Sequence, residues 1–369
     1  MVTRSDIRNV AIVAHVDHGK TTLVNAMLQQ AHVFSEREEV PDRVMDSGDI
    51  EREKGITILA KNTAIRYTGP LAAKVGQPDG ITINVVDTPG HADFGGEVQR
   101  ILKMVDSVLL LVDAFEGVMP QTKYVLKQAL EHGLRPIVVV NKIDRPNSDP
   151  DAVVDSVFDL FVDLGANDAQ LDFPVVYASA KNGYAKLELE DEDKDMKPLY
   201  DEIMKHVDDP EGDVNEPLQM LVTNTEYDEY VGKLGTGRIY NGKIEKNQEV
   251  TLIKRNGDLV NGKITRIYGY DGLKKVEMEE AFAGDIVTIA GIEKIDIGET
   301  VASKENPKPL PLIDIDEPTL AMTFVVNDSP FAGQDGKFVT SRNILERFMQ
   351  KNFHGVLSVF YGFFLKDVI

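Results

Sequence analysis

Five short apolar runs divide the first half of the chain into strand-length pieces: "NVAIVA" (9–14), "ITINVVD" (81–87), "SVLLLVD" (107–113), "PIVVVN" (136–141) and "PVVYAS" (174–179). Each is almost continuously apolar, the pattern of a strand buried on both faces. Helical periodicity falls between them. Val98, Ile101, Leu102 and Val105 share one helical face, and Val154, Val157, Phe158 and Phe161 share another. This alternation is the sequence form of an α/β fold with a doubly wound, mostly parallel sheet. The two stripes are read as core, because apolar residues at helical spacing bury against a sheet far more often than they hold a ligand.

In an open parallel sheet, ligands bind beyond the carboxyl ends of the strands. Polar motifs stand at four of those ends. After the first run comes "AHVDHGKTT", with Asp17, His18, Gly19, Lys20, Thr21 and Thr22 as candidate phosphate-binding residues. Gly19 lets the backbone approach an anion, Lys20 neutralises β and γ oxygens, and Thr21 offers a hydroxyl to Mg²⁺. The helix that starts there points its free N–H groups at the phosphates. The glycine that usually opens such a loop is replaced by Ala14, and Gly-Lys-Thr alone is a weak signal.

Three further motifs strengthen it. "DTPGH" follows the second run, with Asp87 a candidate metal residue and the Gly90 amide directed at the γ-phosphate. The fourth run ends in "NKID", residues Asn141, Lys142, Ile143 and Asp144. A carboxylate at Asp144 accepts from both the N1–H and the exocyclic amine of guanine, whereas adenine has an acceptor at that ring position and no amine beside it. The fifth run ends in "SAK", where Ser179 braces the loop, the Ala180 amide meets the guanine carbonyl and the Lys181 stem covers one face of the base. Each motif has a bland reading as a turn. Their order at successive strand ends favours a guanine-nucleotide site.

The 369 residues allow two or three domains. Without cysteine the chain has neither a disulfide framework nor a thiolate zinc site, which suits a reducing compartment. With 40 Lys plus Arg against 61 Asp plus Glu, the formal charge is −21, opposite in sign to a generic nucleic-acid binder, and direct DNA binding is not expected. "MVTRSDIRNV" lacks the apolar core of a signal peptide, and no apolar span of about 20 residues exists to cross a membrane. A cytoplasmic protein, monomeric and away from membranes, is the expectation.

The first domain is expected over residues 1–210, ending in the charged run "KLELEDEDKD" (186–195) and a short helix in "PLYDEIMKHV". From 216 to 303, short β-rich runs are separated by Asn-Gly at 241, 256 and 261 and Asp-Gly at 271. Those pairs favour tight hairpin turns, so an antiparallel β-barrel is expected. A proline-rich joint leads to a third, incomplete α+β (ferredoxin-like) segment over 316–369, where Thr340 or Ser341 caps a helix that buries Ile344, Leu345 and Phe348.

"AHVDHGKTTLV", "RVMDSGDIEREKGITILAKNTA", "DTPGHADFGGEVQR", "VDAFEGVMPQT", "NKIDRP" and "FDLFVDLGANDAQLDFPVVYASAKNG" together resemble the TypA/BipA family of ribosome-associated translational GTPases. LepA and elongation factor G share the nucleotide motifs, while "ILAKNTA" and "FGGEVQR" favour TypA/BipA. The resemblance runs from about residue 5 to about 350, and within that family Ala14 is the usual residue.

The resemblance implies Mg²⁺-dependent hydrolysis of GTP to GDP and phosphate, with the ribosome and its large-subunit assembly under stress as the target. It also implies that Thr57 is a switch residue closing on Mg²⁺ and the γ-phosphate. His91 positions the attacking water, and Val16 with Ile56 forms an apolar gate before it. The remaining histidines, 15, 18, 32, 132, 206 and 354, have no helical metal-ligand spacing, and His15 and His18 are read as structural.

The chain departs from the family at two places. Residues 68–80 make a long hairpin read as a surface insertion. After about Lys351 the sequence ceases to resemble the family, so the last residues, from about 352, read as a non-family tail on a truncated product. Two other readings follow: a nucleotide-binding remnant unable to dock on the ribosome, and a LepA-like factor.

Overall fold

The computed structural model describes residues 4–31, 61–89, 95–228 and 230–313, with short stretches at 325–326, 333–334 and 340–344. In the first part, strands β1 (Ile7–Ala14), β2 (Lys61–Tyr67), β3 (Ile81–Asp87), β4 (Ser107–Asp113), β5 (Arg135–Asn141), β6 (Val175–Ser179) and β7 (Tyr184–Lys186) form one seven-stranded sheet in the order β2-β3-β1-β4-β5-β6-β7. The five strands from β3 to β6 run parallel, and β2 and β7 pair antiparallel at the two edges.

Successive residues of the central strands feed opposite faces. Val10, Ile12 and Ala14 of β1 join Leu109 and Leu111 of β4 on one side, while Ala11 and Val13 join Val108, Leu110 and Val112 on the other. The first face is covered by α1 (Lys20–Gln30), by Ala72 of α2 (Pro70–Lys74) and, further along, by Leu199, Ile203 and Met204 of a helix over Lys197–His206. The second is covered by α3 (Gly95–Leu102), α4 (Pro120–Glu131) and α5 (Pro150–Asp163). A short α6 (Asp168–Leu171) follows α5, so the Lys197–His206 helix is α7.

Details depart from the sequence reading. On α5 the buried stripe is Val153, Val157, Leu160 and Phe161, whereas Phe158 is 44% exposed. The helix is rotated about one position from the predicted face: Phe161 packs on Phe173 with ring centroids 4.6 Å apart, and the more exposed Phe158 reaches the same ring at 6.5 Å. The hairpin between β2 and β3 carries α2 within it, started by Pro70 and seated by the fully buried Ala72.

The second part is antiparallel. Strands β8 (Gln219–Asp228), β9 (Gly232–Asn241), β10 (Lys243–Glu245), β11 (Glu249–Ile253), β12 (Leu259–Lys263), β13 (Arg266–Asp271), β14 (Lys274–Met278), β15 (Glu280–Phe282), β16 (Ile286–Ala290) and β17 (Thr300–Ser303) enclose one core that includes Met220, Val222, Ile239, Leu252 and Ile289. Eight of them form a sheet in the order β12-β11-β17-β8-β9-β16-β13-β14, and β10 pairs with β15.

Gly257 and Gly272 have positive φ in the connections of the β11–β12 and β13–β14 hairpins, as their turn signals predict, whereas Asn241-Gly242, also with a positive-φ glycine, joins β9 to β10, which pair with other strands and not with each other. Asn261-Gly262 is different: both residues lie inside β12, with Asn261 opposite Thr251. Gly262 packs closely there: a Cβ would stand 3.0 Å from the Ile292 side chain, which would have to shift by a few tenths of an ångström.

The two parts are tied together at several points. Arg238 of β9 meets Asp106 at 2.7 Å, and the Asn9 amide donates to Asp106 at 3.1 Å and to the Gly284 carbonyl at 3.0 Å. At the sheet edge, Ala64 of β2 exchanges backbone hydrogen bonds with Gly272. Near the other end of the chain, residues 341–344 make one helical turn whose Asn343 amide donates to the Thr340 hydroxyl at 3.2 Å, so Thr340 is the cap. Leu345 and Phe348 lie outside the described residues.

Candidate functional site

The last residues of β1, β3, β4, β5 and β6 are Ala14, Asp87, Asp113, Asn141 and Ser179, and the segments leaving these strands converge beyond one edge of the sheet. Ala14 is still a strand residue, buried and paired with Leu111 of β4. Within the loop, positive φ belongs to Asp17 (66°) and Gly19 (93°), not to Ala14, so alanine meets no conformational objection there.

Gly19 caps α1 and offers no side-chain acceptor to its first-turn amides. The buried Lys20 ammonium stands 3.0 Å from Asp87 Oδ1 and donates to the Thr88 carbonyl. Thr88 is itself fixed, its hydroxyl donating to the Ile12 carbonyl at 2.6 Å. Thr21 is half-buried and Thr22 exposed on the same first turn.

Asn141 organises the opposite wall. Its Nδ2 donates to the His18 carbonyl at 2.8 Å, and its Oδ1 accepts from the Ala180 amide at 3.0 Å. One buried side chain thus joins the phosphate loop to the loop after β6. Sequence reading assigned the Ala180 N–H to a guanine carbonyl; here it donates to Asn141, and a base would have to share that bond. Ser179 Oγ donates to Asp144 Oδ1 at 2.6 Å, which aims an otherwise exposed carboxylate. The half-buried Ile143 donates its amide to the Ala178 carbonyl at 3.3 Å, and Lys181 is exposed.

His18 is fully buried, with Nδ1 3.4 Å from the Leu111 carbonyl and Nε2 3.5 Å from Glu116, its ring centroid 5.2 Å from that of His15. Burial holds its pKa below the ordinary histidine value. Val16 sits half-buried in the turn after β1. Gly90, His91, Thr57 and Ile56 lie outside the described residues.

One residue of this crevice was not identified from sequence. Asp113 places Oδ2 2.6 Å from the Lys142 ammonium and 3.2 Å from Arg145, and Oδ1 accepts from the Phe115 amide at 2.8 Å. Burial raises its pKa, but the bonds from Lys142, Phe115 and Glu116 outweigh that and leave it lowered. The available signal was its place as the terminal Asp of the third apolar run, level with Asn141 in the register of β4 and β5.

A buried cation, a glycine in the left-handed region at the start of the loop's helix, and the N-terminus of that eleven-residue helix fit a nucleotide phosphate. Among the described residues no group of three or more His, Cys, Asp or Glu could hold a metal.

A doubly wound sheet with this loop chemistry, followed by an antiparallel β-barrel, defines a guanine-nucleotide-binding protein of the translation-factor class. Residues 5–209 match the elongation factor Tu GTP binding domain and residues 232–302 match elongation factor Tu domain 2, and the chain belongs to that family. It is 58% identical to the large ribosomal subunit assembly factor BipA of Synechocystis over 92% of this chain and 55% of the relative. The BipA proteins of Bacillus subtilis and Escherichia coli K12 are 55% and 54% identical, over 94% and 95% of this chain and 55% and 56% of theirs. The chain spans about half the length of these curated relatives.

Proposed function

We propose that the chain is a Mg²⁺-dependent GTPase that hydrolyses GTP to GDP and phosphate and works on the ribosome in large-subunit assembly, the role its relatives' name gives them. The observation that carries the nucleotide reading is the pair of hydrogen bonds made by the Asn141 side chain, which joins the phosphate loop to the base loop in one crevice. In this reading Asp144, aimed by Ser179, accepts both guanine donors, and Lys20 exchanges Asp87 and Thr88 for phosphate oxygens. Gly19 and Thr22 line the phosphates, with Asp17, His18 and Gly90, while Ile143, Ala180 and Lys181 border the base.

Mg²⁺ would be held by Thr21, Asp87 and Thr57, and would supply charge neutralisation for the transferred phosphoryl group. His91 orients the attacking water behind the gate of Val16 and Ile56. Turnover without a partner is slow, as is usual where the water-positioning residue awaits an activating surface. A monomeric, cytoplasmic factor engaged under stress completes the reading, and among the described residues no helix is long and apolar enough to cross a membrane.

GTP hydrolysis measured with and without ribosomes tests the activity. His91→Ala is expected to remove most of the ribosome-stimulated rate while leaving GTP binding in place; an unchanged stimulated rate would end the catalytic assignment. Co-sedimentation with 50S subunits in a non-hydrolysable GTP analogue tests the target, and no binding at all would leave a nucleotide-binding protein without the ribosomal role.

A further inference from the structure

We propose that Asp113 is a positioning residue of the nucleotide site, holding Lys142 where its ammonium fastens the base loop to the phosphate loop. The proposal rests on the guanine-nucleotide reading above. Lys142 starts from a backbone that few non-glycine residues adopt, φ 64°, at the exit of β5. From there its stem passes Gly19, with Cε 3.8 Å from where a Cβ on Gly19 would stand. Its ammonium donates to the Asp17 carbonyl at 2.5 Å, inside the phosphate loop and 125 residues away in sequence.

Asp17 itself has φ 66°, so the peptide that Lys142 grips belongs to a strained turn. A lone carbonyl is a poor counterpart for a cation whose side chain is only 20% exposed. Asp113 supplies the missing charge at 2.6 Å from the end of a third strand, itself completely buried.

The carboxylate is held in turn. Oδ1 accepts from the Phe115 amide and Oδ2 also meets Arg145 at 3.2 Å, so its orientation is set before any ligand arrives. The Asp113 carbonyl accepts from the Gly117 amide, which closes the turn after β4, and the Asn141 carbonyl accepts from the Ala114 amide, which ties the ends of β4 and β5 together. Removing the charge leaves Lys142 free to leave Asp17, and both loops that grip the nucleotide lose their common tie.

Release of N-methylanthraniloyl-GDP from the full chain, followed by stopped-flow fluorescence, tests this with a double-variant cycle. Asp113→Asn is expected to speed release by about tenfold, the usual consequence of losing one charge-assisted bond. Lys142→Met is expected to speed it at least as much, and the double variant is expected to be no faster than Lys142→Met alone. A merely structural Asp113 would lower stability in either background and its effect on release would add to that of Lys142→Met.

Unchanged release in Asp113→Asn, or full additivity in the double variant, overturns the proposal. Asp113→Ser keeps a hydroxyl acceptor for the Phe115 amide without the charge, and is read the same way if the asparagine variant does not fold. Wild-type chain that fails to retain GDP would refute the nucleotide reading itself, and the positioning role with it. Retention by wild type with an indifferent Asp113→Asn would refute the positioning role alone.

Discussion

A β-carbon on Gly19 would stand 2.5 Å from the side-chain nitrogen of Asn141, nearer than real β-carbons come to atoms they are not bonded to. Phosphate loop and base loop are therefore packed against each other with no room for a methyl group between them. The φ of 93° at Gly19 adds a second objection to any side chain. Gly19→Ala is expected to displace Asn141 from the His18 carbonyl and to weaken GDP binding at least about hundredfold, with a stability loss of about 1–3 kcal/mol. Calorimetric titration with GDP checks it, and wild-type affinity in the variant would show that the close approach has no bearing on the ligand.

Base selection is expected to follow Asp144. An amide in place of its carboxylate presents a donor where guanine also has donors, so Asp144→Asn should lose GDP affinity by about a hundredfold or more and gain affinity for xanthosine diphosphate. Competition between the two nucleotides measures the change. A variant that keeps its preference for GDP would place the base elsewhere.

The contact between the two parts of the chain should depend on Arg238 and Asp106, both largely buried, 2.7 Å apart. Arg238→Met leaves the Asp106 charge with the Asn9 amide and the Arg8 charge nearby, and a loss of about 3 kcal/mol is expected in urea unfolding. Replacing both charges, as Arg238→Met with Asp106→Leu, should recover much of that loss. Two single variants that each cost under about 0.5 kcal/mol would show the pair to be energetically neutral.

His18 makes stability fall in acid. Burial lowers its folded pKa below the unfolded value near 6.5, so the unfolded chain binds the extra proton first as pH drops. The neutral His18 costs nothing above about pH 7.5; stability declines as pH falls through the unfolded value toward the lower folded one. Urea unfolding of His18→Gln against wild type between pH 7.5 and 5 should show a shallower decline for the variant. Parallel curves would assign the acid sensitivity to other groups, such as His132, which burial also shifts down.

Much of the fold was legible because its signals are local. A strand buried on both faces must be apolar throughout, and the runs ending at Asp87 and Asp113 coincide with β3 and β4 residue for residue. Helix faces were less secure, as Phe158 illustrates: one residue of rotation exchanges a buried position for an exposed one, and the packing of the whole helix on the sheet decides it, since Phe158 and Phe161 both reach Phe173. Asn261-Gly262 misled for a related reason. The pair satisfies turn geometry, but it satisfies a strand facing Ile292 equally well, and the dipeptide carries no information about that neighbour.

The sequence by itself determined the strand-end motifs and hence the chemistry at hand: a glycine that lets backbone approach an anion, a lysine opening a helix, a carboxylate after Asn-Lys-Ile. Those are properties of residue types and their spacing. Tertiary structure alone decided which of these groups touch. His18 and Asn141 are 123 residues apart, and Asp17 and Lys142 are 125 apart, yet each pair shares a hydrogen bond. Both pairs meet because the sheet order sets β4 between β1 and β5, bringing the three strand ends to one crevice. That same order placed Asp113 beside Lys142. A buried charge is held by whatever the fold brings within about 3 Å of it, and no local pattern records that distance.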